Sequence, residues 1–303
     1  MTGFLSGMLI TVGINIIAVL GPSILLGFTG MFTFGHAAYE ALGAYTSAVL
    51  TMRYSVPFPL ALLCGCVVAM LCSIPIGVPT LHLTSDYFIV ATLGVGEIVA
   101  LLMENLDKIT GGGRGLPGVP LYTNLPITAV LVIACIWVTR NFVNSRHGRN
   151  CVAIRENQLA AECIGINAFK HKMIAFMISA FLGGLSGGLM AHYVGLLHPK
   201  MFRIVRSEEL GIAVILGGAG SVTGSVLAAI VVTLLPELLR DVVSDWRLVV
   251  YGLAVIVVII NRPQGLMGYR EITLESLRGL WSRLAAGRKR PAAPGAATTG
   301  RRS

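Results

Sequence analysis

The sequence predicts an all-α, polytopic integral membrane protein of about eight or nine transmembrane helices, some of them Gly-broken or re-entrant. Three observations carry this. Only 12% of the 303 residues are charged, about half the share found in a soluble domain. The mean hydropathy is +0.79. Apolar runs of roughly 20 residues recur along the chain, and at about 1.5 Å per helical residue each spans about 30 Å of hydrocarbon. A membrane β-barrel would show short alternating segments instead.

The elements follow in order. Residues 4–28 form the first span, with a kink or break expected at Gly21-Pro22 because proline lacks the helical N–H. No basic residue precedes it, so it reads as a retained helix rather than a signal peptide. Further spans are 33–51, 58–79, 86–105, 124–143 and 173–196, then a Gly-interrupted region 208–239, then 247–261. Asp86 stands where a carboxylate favours a helix N-terminus. Residues 1–268 are expected to form the transmembrane domain, and 269–303 a basic, disordered cytoplasmic tail.

Charge orients the chain. The 144–172 loop holds Arg146, Arg149, Arg155, Lys170 and Lys172, with Arg140 just before it, and basic-residue bias assigns it to the cytoplasm together with the tail. Residues 197–206 and 240–246 then face outside, and 208–239 crosses an even number of times, hinged near "GGAGSVTG" (217–224). Lys200, Arg203 and Arg206 run against this orientation. Counting back five crossings places the N-terminus outside, and one re-entrant segment would reverse that. Of the net charge of +9, +7 lies from Arg262 onward, beside a span. That points to anionic membrane lipid rather than nucleic acid.

No chemistry-bearing constellation is visible. The six cysteines form no CxxC and no zinc spacing, so neither disulfide nor metal is expected. "GGGRGLPG" (111–118) contains the letters of a dinucleotide fingerprint, but no βαβ unit surrounds it and its prolines forbid a helix there. It reads as an outside loop. The chain binds no cofactor of its own and is not an enzyme by any pattern it shows.

Ionisable residues inside spans are costly and mark pathways or partners. Glu97 is the sharpest, with His36 beside Gly35 in a broken segment; Glu40 and His192 are also in or near spans. Gly27/Gly30/Gly35 and Gly217/Gly220/Gly224 each contain Gly-x-x-Gly followed by another glycine, and broken helices in two halves of a transporter border a central path. Gly30, Gly35, His36, Glu97, Gly217 and Gly220 are therefore the candidate pathway residues; close packing through small residues is the alternative. The polar stretch after Arg149 reads as one short amphipathic helix. Leu159, Cys163 and Ile166 share its apolar face, Arg155, Glu156 and Glu162 are left to solvent or a partner, and Gly165 ends it.

That stretch, "GRNCVAIRENQLAAECIGIN" (148–167), resembles the cytoplasmic coupling loop of ABC importer permeases. From about residue 20 to 268 the chain resembles the branched-chain amino acid (LivM-type) permease family. The further blocks are "LLGFTGMFTFGHAAYEALGAYTSAVL" (25–50), "SDYFIVATLGVGEIVALLMENLDKITGGGRGLPGVP" (85–120), "GGLSGGLMAHYVGLLHP" (183–199), "GGAGSVTGSVLAA" (217–229) and "RPQGLMG" (262–268). The resemblance implies a bacterial inner-membrane subunit paired with a second, LivH-type permease. It also implies two ATPase subunits that use ATP on the cytoplasmic side, and a periplasmic substrate-binding protein that docks on 106–123, 197–206 or 240–246. Arg155, Glu156, Ala160, Ala161, Glu162 and Gly165 would form the ATPase-coupling segment. Glu40, Met31 and Phe32 depart from the family's usual residues, so urea, short amides or aromatic acids stand beside branched-chain amino acids as substrates. An ion-gradient-driven secondary transporter is the alternative of a different class.

Overall fold

The computed structural model describes residues 2–83, 85–238, 252 and 265–268. All belong to the unit Met1–Arg270. The expected loop 240–246, the tail 269–303 and, Gly252 apart, the span 247–261 lie outside the described residues.

At Gly21-Pro22, where a kink or break is expected, helix α1 (Thr2–Pro22) loses its α-helical form without ending. It widens into a π-helical turn, Ser23–Thr29, which absorbs the hydrogen bond that Pro22 cannot make. The helix ends at Gly30 instead, whose φ of +71° is open to glycine, and whose N–H bonds to the Leu25 carbonyl. Residues 30–35 then run without helix to α2 (His36–Arg53). Helices α3 (Phe58–Thr80) and α4 (Ser85–Asn105) follow, the latter with Asp86 in its first turn. A short α5 (Asp107–Thr110) leads to a strand the sequence did not suggest, β1 (Leu116–Pro117). Next come α6 (Leu125–Asn144), α7 (Arg146–Glu156), α8 (Gln158–Cys163) and α9 (Ala168–Val194). Strand β2 (Leu196–Leu197) pairs antiparallel with β1. The Gly-interrupted region is two helices, α10 (Ile204–Gly217) and α11 (Val222–Leu238). Its helix starts at Ile204, so Arg206 is helical and not a loop residue.

The β1–β2 pair marks one end of the bundle, called upper here, and α7–α8 mark the lower. Tyr193, near the end of α9, donates to the Gly7 carbonyl at 3.1 Å, so α1 begins at the upper end. His82 stacks on Phe169 at 4.7 Å and closes the lower end. Among the described residues five helices are long and apolar enough to cross a membrane: α1 with its π turn, α3, α4, α6 and α9. Helix α9 lies at the centre, against α1, α2 and α3. Helix α6 is peripheral and turns Val130, Ile133 and Trp137 outward. Such a belt is compatible with lipid and not with water.

Lipid offers little hydrophobic drive for helix association, so close packing must supply it. Helix α2 meets α9 through glycine: a Cβ on Gly43 would run into the Gly184 carbonyl, and one on Gly187 into the Glu40 carbonyl. Gly94 on α4 has nothing within 4 Å of a would-be Cβ. Gly43→Val should cost about 1–3 kcal/mol or more by overpacking. A lower thermal midpoint in detergent is the readout, and Gly94→Ala should leave that midpoint unchanged.

Candidate functional site

The first site is a polar cluster in the upper half of the bundle. Glu40, in the second turn of α2, is 1% exposed. Its Oε2 accepts from Arg206 Nε at 3.0 Å, and its Oε1 accepts from Ser186 of α9 at 3.3 Å. Arg206 also donates through Nη2 to Asn15 Oδ1 at 2.8 Å and through Nη1 to Glu209 Oε2 at 3.5 Å. Asn15 Nδ2 donates to Thr233 Oγ1 at 3.0 Å. One guanidinium thus ties together α1, α2, α10 and, through Asn15, α11. A carboxylate at this depth demands such a partner. Arg206 was legible only as a charge against the orientation rule. The unmatched Glu40 was the signal that could have paired them.

The predicted pathway residues fall in separate places. His36 is enclosed by Gly21, Gly183 and Tyr39, with Nδ1 at 3.4 Å from Ser179 Oγ. Glu97 is at the upper end, where Oε1 accepts the Ile204 N–H at 3.2 Å and so caps α10. Its other oxygen is 4.0 Å from Arg203, which bonds Glu104 at 3.0 Å. Gly35 packs on the Thr92 carbonyl, Gly217 on Gly224, and Gly220 on Gly27. Gly30 lines a lower-end cavity of about 330 Å³ with Arg155, Gln158 and Lys172. These six positions do not converge on one of the larger cavities.

The second site is the lower-end element α7–α8. It is two helices rather than the single one expected. Asn157 stops α7, and its side chain caps α8 by accepting the Ala160 N–H at 3.0 Å. The break resets the helical phase, so Leu159 and Cys163 leave the expected apolar face, while Ile166 packs against the buried cluster there. Leu159 is 75% exposed, Cys163 is exposed, and Ile164 is 76% exposed. Ile154, also expected near that face, is buried together with Ala161 and Ala168. Ala160, Glu156 and Glu162 remain exposed. Gly165 ends α8 with φ +86°, its N–H on the Glu162 carbonyl at 3.0 Å. Arg155 is not left to solvent. It turns inward to donate from Nη1 to the Gly27 carbonyl of the π turn, while Nη2 pairs with Glu156. The last carbonyls of a helix need such donors.

Comparison with known proteins matches the profile described as "Branched-chain amino acid transport system / permease component" to residues 4–259. The chain belongs to this permease family. The high-affinity branched-chain amino acid transport system permease protein LivM of Escherichia coli (strain K12) is 30% identical over 288 residues, covering 84% of this chain and 68% of LivM. LivH of Salmonella typhimurium (strain LT2) is 23% identical, covering 84% of this chain and 91% of LivH. The fructose import permease protein FrcC of Rhizobium meliloti is also 23% identical, covering 84% and 78%. No solved structure matches. Family and fold agree on a multi-pass membrane permease, a transporter component rather than an enzyme.

Two outcomes follow for this permease. Glu40→Met or Arg206→Met alone strands a buried charge and should cost about 3–5 kcal/mol. The double variant should recover most of the lost folded yield on size-exclusion chromatography. At the lower end, burial pushes the Cys151 thiol up to about 11, whereas Cys163 is exposed. A membrane-impermeant maleimide added at neutral pH to lower-end-exposed vesicles should label Cys163 and spare Cys151, as read by peptide mass spectrometry.

Proposed function

We propose that this chain is one of two permease subunits of an ATP-binding-cassette importer for branched-chain or related amino acids in the bacterial inner membrane. A LivH-type partner completes the membrane pore. ATP is bound and hydrolysed on two separate ATPase subunits, and a soluble binding protein delivers substrate. The lower end is cytoplasmic on this reading and the upper end periplasmic, in line with the basic residues around 144–172. The binding protein would meet the upper-end loops 106–123 and 197–203.

The observation that carries the reading is the double-faced element α7–α8. Outward it presents Leu159, Ala160, Cys163 and Ile164 beside Glu156 and Glu162, an apolar patch with an acidic rim. Isolated exposed apolar residues are ordinary, but a clustered patch rimmed by charge suits a protein partner. Inward, the same element grips the π turn through Arg155. Ala161 is buried and serves as a hinge-side support rather than a contact. Closure of the ATPases would push α8, and Arg155 would carry that displacement to the lower end of α1 and the broken segment 30–35. There Gly30 and Gly35 let the backbone turn and approach α4, beside His36. Gly217 and Gly220 do the same at the α10–α11 hinge, and Glu97 holds the upper end of α10.

The test is co-purification from solubilised membranes. Wild type should bring down a second permease and ATPase subunits. Leu159→Asp or Glu162→Lys should reduce the ATPases about tenfold or more, the loss expected for a central interface contact of about 2 kcal/mol, and keep the permease. Bound ATPases should also shield Cys163 from maleimide. ATPases retained in full by both variants, with Cys163 equally reactive, would overturn the docking assignment.

A further inference from the structure

We infer that the cleft between α1, α10 and α11 is a recognition site for a zwitterionic aliphatic α-amino acid. The inference rests on the amino-acid permease reading above and adds to it a site and a mode of binding. The cavity has a volume of about 220 Å³. At about 30 Å³ per water that is room for roughly seven waters, the scale of a single amino acid and not of a disaccharide.

Its chemistry is divided along its length. Arg206, Glu209, Asn15 and Thr233 supply the polar groups. Val19, Leu210, Ala213, Ala229 and Val232 supply an apolar wall. A guanidinium carries five N–H donors. Among the described residues Arg206 uses one on each nitrogen, toward Glu40, Glu209 and Asn15. One donor on each terminal nitrogen is left, which suits a carboxylate received by the planar fork. Glu40 is buried and holds the guanidinium in place. Glu209 differs: its side chain is half exposed, and its contact with Arg206 is long, at 3.5 Å. That carboxylate is the natural acceptor for an ammonium.

A zwitterion matches this arrangement because both of its charges branch from one carbon. A simple anion would leave Glu209 unmatched, and a simple cation would meet Arg206. The alanines at 213 and 229 leave the space that a valine- or leucine-sized side chain would fill. A polar side chain would find no hydrogen-bond partner on that wall. A buried ion pair needed only as a brace is complete with Glu40; it requires neither a second carboxylate nor the Asn15–Thr233 pair beside an open cavity.

The test is equilibrium binding of radiolabelled leucine to the permease, purified in nanodiscs with its accompanying subunits and without binding protein or nucleotide. Leucine should bind saturably and be displaced by valine and isoleucine. The keto acid 4-methyl-2-oxopentanoate, which keeps the carboxylate and side chain and lacks the ammonium, should compete about tenfold or more less well, the scale of one charged hydrogen bond. Glu209→Gln should weaken leucine by a similar factor and narrow its advantage over the keto acid. Ala213→Phe should abolish binding of leucine by filling the cavity. Size-exclusion profiles and subunit composition matching wild type separate these effects from misfolding. No leucine binding by wild type, or wild-type binding in both variants, would overturn the site and leave Arg206 as a brace. Absence of ATPases from the wild-type preparation would count against the docking assignment alone, because leucine binding is read without nucleotide.

Discussion

Where α2 crosses α9, the two backbones approach more closely than any side chain permits. Gly43 faces the Gly184 backbone and Gly187 that of Glu40, a would-be Cβ on Gly184 meets Ala69 and Cys66 of α3, and Gly65 of α3 comes within 2.7 Å of the Gly43 carbonyl through its would-be Cβ. In a bilayer this contact substitutes for hydrophobic collapse, since dispersion between tightly packed atoms is what remains when lipid tails compete for apolar surface. It also fixes the height of α2. The helix begins deep within the bundle, with its first residue, His36, against Gly21 and Gly183. The chain therefore has to climb back from the lower end through the non-helical residues 30–35.

That placement creates the buried charge and dictates its partner. With α2 locked on α9, Glu40 lies beside Ser186 with no route to water. A carboxylate so placed needs a cation within hydrogen-bond reach, and the first turn of α10 supplies Arg206. The N-terminus of α10 is held in turn by Glu97 of α4. Packing by glycine and pairing by charge thus act in series. The first sets where α2 lies, the second sets the register of α10 against it, and Asn15 and Thr233 extend the network to α1 and α11.

Much of this was legible in the residues. The long apolar helices among the described residues, the break between Gly30 and Gly35 and the hinge at 218–221 follow from apolar run length and glycine spacing, which are local properties. Gly165 was legible as a helix end for the same reason. What was not legible depended on something between segments. Pro22 marks a missing hydrogen bond, but whether a helix breaks or widens there depends on the walls around it, and buried neighbours on α9 and α11 hold Ser23–Thr29 helical. Leu159 and Cys163 were assigned inward by carrying one helical phase through Asn157, although an asparagine in that position is itself a capping signal. Arg206 was read through an orientation rule that counts loop charges and has no term for a cation buried in a helix.

The grip of Arg155 on Gly27 has a consequence for how motion would pass upward. The Gly27 carbonyl lies near the end of the π turn and takes its hydrogen bond from the Arg155 guanidinium. A would-be Cβ on the same glycine lies 2.9 Å from the Gly220 N atom, so the π turn and the α10–α11 hinge touch backbone to backbone. If α7 moved alone, a carbonyl in a dry environment would lose its donor, at a cost of about 1–3 kcal/mol. Movement of the π turn together with α7 avoids that loss, and the hinge, with no side chain between it and Gly27, has no slack to absorb the shift. Beyond the hinge stands α10, which carries Arg206. Surface and polar cluster are thus joined by backbone contacts that resist compression and by the Arg155 hydrogen bond, which resists separation.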